Sequence, residues 1–189
     1  MPNHHFQPAM HRFLTRLSEY LSSPISPSTS EPTHASLTRL GRLHPVVFVY
    51  VILFLSYVVL LPLVLLDTVV DSQALHMGGG PKNLPLFGLG GRLILGSLIA
   101  PLVETAIFQW APIRVLRTWL RLPLPLAVFA SAALFGIAHT YSVGYVVFTF
   151  FVGLVLAWGF AAKDYRGGWA YLLICVVHAL RNAIAVFLM

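Results

Sequence analysis

The uncharged run from Pro45 to Leu66, PVVFVYVILFLSYVVLLPLVLL, restricts the folds open to this chain more than any other stretch. A helix rises about 1.5 Å per residue, so roughly 20 apolar residues cross a hydrocarbon core of about 30 Å, and this run is long enough. Inside lipid every backbone N–H and C=O must be satisfied within the protein, and a run without polar alternation achieves that only as a helix. Composition extends the argument to the whole chain. Charged residues make up 10% and hydrophobic residues 58%, with mean hydropathy +0.81. A soluble domain carries about 25% charged residues, so lipid is the main solvent here. The expected fold is all-α, a polytopic membrane bundle of about five transmembrane helices.

The remaining helices are predicted over Arg92–Leu120, interrupted by Pro101 and Pro112, then Leu124–Thr140, Tyr145–Ala162 and Gly168–Met189. Each proline frees a backbone carbonyl and invites a kink. Asp67–Leu89 reads as a loop, marked by Gly78–Pro81 and by Asn83 and Pro85. Residues 1–43 are rich in Ser, Pro, Thr and His, with SSPISPSTSEP at Ser22–Pro32, and are expected to form a mostly disordered tail. Phe13, Leu17 and Leu21 beside Arg12 and Arg16 also suit a short interfacial helix over Phe6–Leu21. His4, His5 and His11 follow no ligand spacing, and the first apolar run starts too late for a signal peptide. The division is therefore a tail over 1–43 and a bundle over 44–189, with the polar residues of interest in 92–189.

Net charge is +6, but the basic residues are scattered between apolar runs, which argues for topology control and against a nucleic-acid surface. Arg12, Arg16, Arg39 and Arg42 precede the first helix, Arg114, Arg117 and Arg121 lie toward the junction between the second and third, and Lys163 and Arg166 follow the fourth. The alternate loops carry Lys82 and Arg92. The positive-inside rule then puts the N-terminus in the cytoplasm and, with five spans, the C-terminus outside. The lone Cys175 excludes an internal disulfide. No transporter-type repeat is visible.

Against this background Glu104, in LVETAIFQW (Leu102–Trp110), is out of place. A charged carboxylate at mid-membrane costs on the order of 2.5–3.5 kcal/mol on insertion scales, which makes it a functional-site candidate in need of partners. His139, His178 and Asn182 are the candidates. Phe135 and His139 are four residues apart in one predicted helix, and His178 and Asn182 four apart in another, so each pair shares a helical face. One histidine in an apolar helix is ordinarily structural. Glu, His, His and Asn from three helices need one another away from water. Arg181 lies close to the same face, either neutralising Glu104 or snorkelling to the interface. Gly153 and Gly159 suit close helix packing, and Cys175 suits a small apolar position.

ETAIFQW (Glu104–Trp110), FGIAH (Phe135–His139) and HALRN (His178–Asn182) resemble, in order and separation, the motifs of the CPBP intramembrane proteases, also called the Abi or type II CAAX-processing family. The resemblance covers roughly Arg92–Met189. It implies an intramembrane endopeptidase acting on a membrane-associated protein or peptide, with Glu104, His139, His178 and Asn182 as catalytic residues and Thr105, Phe108, Gln109, Phe135 and Arg181 in support. Thr105 stands where the family has a second glutamate, and Gln109 where it has an arginine. Those two departures support an alternative reading: an inactive relative that keeps the fold and acts as a membrane scaffold or immunity protein.

Amide hydrolysis needs an activated water and donors for the oxyanion. In one scheme Glu104 with His139 activates the water, and His178 with Asn182 holds the oxyanion. In the other, Glu104, His139 and His178 bind a Zn²⁺ that activates it. No HExxH pair is present, and the metal-free scheme is preferred. Glu104 and His178 fall near mid-helix, whereas His139 falls near the outer end of its helix, and the side from which substrate enters is left open. A cell membrane, the bacterial cytoplasmic membrane by preference, is the expected location.

Overall fold

The computed structural model describes residues 34–69, 84–165 and 167–188. The expected interfacial helix over Phe6–Leu21, the first 33 residues of the expected tail, and the Gly78–Pro81 turn lie outside them. Among the described residues the regular structure is helical, with no strand. Helices α1 (His34–Arg42), α2 (Pro45–Val58) and α3 (Leu61–Val69) are followed by a 3₁₀ turn at Leu84–Phe87. Then come the long α4 (Gly88–Thr118), α5 (Leu124–Ile137), α6 (Val143–Lys163) and α7 (Ala170–Leu188).

Among the described residues four stretches are long and apolar enough to cross a membrane: Pro45–Leu66 with 22 residues, Gly88–Thr118 with 31, Val143–Lys163 with 21 and Ala170–Leu188 with 19. The chain is thus a multi-pass membrane bundle, as composition required. The fifth apolar helix, α5, has only 14 residues. At about 1.5 Å per residue it extends roughly 21 Å, short of a bilayer core of about 30 Å. The turn after it carries His139, whose Nε2 lies 3.8 Å from Glu104 Oε2, so the two stand at one level of the bundle.

Several sequence boundaries move. The expected loop over Asp67–Leu89 is narrower, because α3 runs to Val69 and α4 begins at Gly88. Gly88 takes φ of 63°, a turn conformation open to glycine, and Arg92 Nη2 donates to Val186 O at 3.1 Å, tying the new helix start to the end of α7. The last part of the expected disordered tail is the helix α1. Leu37 packs into the core, and the buried Lys163 Nζ donates to Gly41 O and Leu43 O, each at 2.8 Å. That ammonium also sits 5.1 Å from the Phe48 ring centroid. An Arg114–Asp164 ion pair, buried on both sides, joins the end of α4 to the α6–α7 turn. In that turn a Cβ at Gly168 would lie 1.9 Å from Lys163 O, so only glycine fits.

The core is built from α2, α5, α6 and α7, with Phe48, Ile52, Leu156, Phe160 and Ile174 fully or almost fully buried. Glycines bring the helices together. A Cβ at Gly153 would lie 3.0 Å from Phe135 Cδ1, and one at Gly159 would lie 2.9 Å from Ile174 Cδ1. A Cβ at Gly136 would sit 2.9 Å from both Phe150 Cβ and Val146 O, so this contact between α5 and α6 has no room for a side chain. Gly136→Val is therefore expected to lower stability by about 1–3 kcal/mol, read as a fall in the melting temperature of the detergent-solubilised protein. Gly90→Ala, where nothing lies within 4 Å of the added Cβ, is expected to leave it unchanged or raise it.

Candidate active site

Glu104 lies in the middle of α4, where the helix leaves regular α geometry. Arg92–Ile99 and Thr105–Trp110 are π-helical, and each precedes a proline, Pro101 or Pro112. Ala100 N–H bonds Leu95 O and Ala111 N–H bonds Ala106 O, the wider i to i−5 spacing of a π turn. Such turns widen the helix and redirect the side chains next to them. Glu104 is aimed into the bundle between α5 and α7.

Its Oε2 lies 3.4 Å from His178 Nε2 on α7 and 3.8 Å from His139 Nε2 at the end of α5. Both separations exceed an ordinary hydrogen bond, and a bridging water would be within reach of all three groups. Side-chain exposure grades from 26% for Glu104 and 16% for His139 to 4% for His178. His139 Nδ1 lies 2.6 Å from Phe135 O. A carbonyl only accepts, so Nδ1 carries the proton and, in the neutral ring, Nε2 turns its lone pair toward Glu104.

Phe135 holds the two imidazoles. Its ring centroid lies 4.5 Å from that of His139, 5.6 Å from that of His178 and 5.7 Å from that of Phe108, and it is 2% exposed. The three residues expected to meet from α4, α5 and α7 do so, around an aromatic side chain expected in support. Asn182, on the same α7 face as His178, donates through Nδ2 to Gly96 O at 2.9 Å.

Arg181 follows neither expected course. It is 9% exposed, which rules out snorkelling, and its guanidinium carbon lies 5.3 Å from the Tyr57 ring and 5.0 Å from the Phe148 ring. Rings from α2 and α6 take the charge that sequence reasoning assigned to Glu104 or to the interface. Thr105 and Gln109 are fully buried, and among the described residues neither amide atom of Gln109 meets a hydrogen-bond partner. Cys175 is buried and free, with Sγ 3.9 Å from Pro101 O, in keeping with a small packing residue.

Sequence reasoning missed Tyr145 and Ser131. Tyr145 follows the N-cap Ser142 of α6 and places its ring centroid 6.1 Å from that of His139. Ser131 is fully buried on α5 and donates to Phe108 O. The Ser131, Phe135, His139 spacing marks one helical face and was a usable signal. Tyr145 had none, because a turn separates it from His139.

If a Zn²⁺ were bound here, Glu104, His139 and His178 would be its ligands. Among the described residues no group of three His, Cys, Asp or Glu side chains is arranged to hold a metal ion.

Compared with known protein families, residues 87–184, more than half of the chain, match the Rce1-like type II CAAX prenyl endopeptidases. No curated protein and no solved structure matches the chain. The matched span holds all four polar residues that the motifs singled out.

The shared Phe135 contact makes a specific prediction. Phe135→Ala is expected to cost about 3–5 kcal/mol and to release both histidines from their orientation. The half-exposed Phe129, replaced by Ala, is expected to cost far less. Melting temperatures of the two variants side by side check this.

Proposed function

Because the chain belongs to the type II CAAX prenyl endopeptidase family, which is the CPBP family, we propose that it is an intramembrane endopeptidase cleaving a membrane-associated protein or peptide by water attack at Glu104. The observation that carries this reading is one carboxylate oxygen facing two imidazole nitrogens, 3.4 and 3.8 Å away, inside a lipid-solvated bundle. A buried acid with two such neighbours serves proton transfer, and packing alone would not require it.

A water between Glu104 and His139 gives a proton to the Glu104 carboxylate while its oxygen attacks the scissile carbonyl. His139, with Nδ1–H fixed on Phe135 O, keeps its Nε2 lone pair on that water. The oxyanion takes hydrogen bonds from His178 and from the N–H of Asn182 that is not spent on Gly96 O. Collapse of the intermediate returns the proton from Glu104 to the leaving amine. Every step uses groups of this chain. The N-terminus faces the cytoplasm by the charge distribution around α2 and α4, and the membrane is a bacterial cytoplasmic membrane.

Thr105 and Gln109 favour a second reading, an inactive relative acting as a binding, immunity or scaffold protein. Both replace charged residues of the family motif, and both are buried without charge. Against it, Glu104, His139, His178 and Asn182 are all retained.

Reconstituted protein should cleave a C-terminal peptide carried on a lipid anchor. Glu104→Gln and His139→Ala are each expected to lower kcat by about 10²–10⁴-fold without loss of folding. A biological phenotype that survives both changes at normal expression selects the second reading. Treatment with a chelator is expected to leave cleavage intact. Loss on chelation, restored by Zn²⁺, contradicts the metal-free scheme.

A further inference from the structure

α4 carries two prolines that bracket Glu104, and each leaves a backbone carbonyl without its helical donor. At the first, Ala100 N–H is spent on Leu95 O, and the residue that would serve Gly96 O in the same π register is Pro101, which has no N–H. Asn182 from α7 fills that place at 2.9 Å. At the second, Ala111 N–H is spent on Ala106 O, and Pro112 again has no N–H to give, here to Ile107 O in the π register. Ser131 Oγ, from α5, donates to the neighbouring carbonyl, Phe108 O. A helical serine commonly bonds back to its own preceding turn. Ser131 crosses to another helix.

The location of that bond matters for the site. Ser131, Phe135 and His139 recur every four residues along one face of α5 and its terminal turn. Phe108, whose carbonyl takes the bond, has its ring 5.7 Å from Phe135, and Phe135 touches both histidines. The Ser131–Phe108 bond therefore sets the axial position of α5, and so of His139, against the π turn that follows Glu104. We propose that Ser131 is a positioning residue, which fixes the Glu104–His139 spacing through its bond to Phe108 O.

This proposal rests on the protease reading, and the test separates the two. With full-length protein in proteoliposomes and a lipid-anchored peptide as the probe, Ser131→Ala is expected to lower kcat about tenfold, with KM changed less than about twofold. Its melting temperature falls as well, since a buried carbonyl loses its donor. Ser131→Thr keeps a hydroxyl able to reach Phe108 O and is expected to hold kcat near the wild-type value, whereas Ser131→Val, matched to threonine in size but without the hydroxyl, is expected to lose kcat as Ser131→Ala does. Equal kcat in the threonine and valine variants overturns the proposal. Undiminished kcat in Ser131→Ala, with Glu104→Gln inactive, overturns the proposal and leaves the protease reading standing. A wild-type protein that leaves the probe uncut removes the reading, and the proposal falls with it.

Discussion

The structure depends on a carboxylate kept inside a protein whose solvent is lipid. Among the described residues no lysine or arginine forms an ion pair with Glu104: Arg181 is taken by the Tyr57 and Phe148 rings, and the imidazoles of His139 and His178 face the acid instead. Imidazoles can stay neutral and still receive or donate a proton, which a permanent cation cannot do. Ion pairing would quiet the acid. Two imidazoles, 3.4 and 3.8 Å from it, leave it able to exchange protons.

Holding that arrangement takes three helices and unusual backbone. α5 ends after 14 residues, and the turn that follows sets His139 beside Glu104. α4 is interrupted by two π turns with a proline after each. One carbonyl in each π stretch, Gly96 O and Phe108 O, is taken by a side chain of α7 or α5, the helices that bring the histidines. Helix breaks in lipid are tolerated when neighbouring helices satisfy the freed groups, and here the satisfying groups also join the parts of the site. Away from it, the Lys163 contacts with Gly41 and Leu43 and the Arg114–Asp164 pair fasten the ends of the bundle.

Much of this could be read before the fold was known. The helices announce themselves by apolar length, and the convergence of Glu104, His139 and His178 follows from helical spacing and motif order. What stayed hidden depends on contacts between helices. Nothing near Arg181 in sequence indicates that its charge will lie between Tyr57 of α2 and Phe148 of α6. The Asn182 bond to Gly96 arises from a π register that only the folded α4 adopts. α5 stops at Ile137 because the chain turns there, while the apolar pattern runs on to Ala138. The helix α1 was missed because its anchor, Lys163, is distant in sequence and its own composition is polar.

The central claim is that Glu104 acts as a base on water and does not form a bond to the substrate. A single turnover in ¹⁸O-labelled water tests it most directly, followed by mass analysis of the product and of the peptide containing Glu104. General-base chemistry places the label in the new C-terminal carboxylate of the product and leaves Glu104 unlabelled. Label in the Glu104 carboxylate would mean covalent attack by the glutamate and would contradict the account, as would product formed at the wild-type rate by Glu104→Gln.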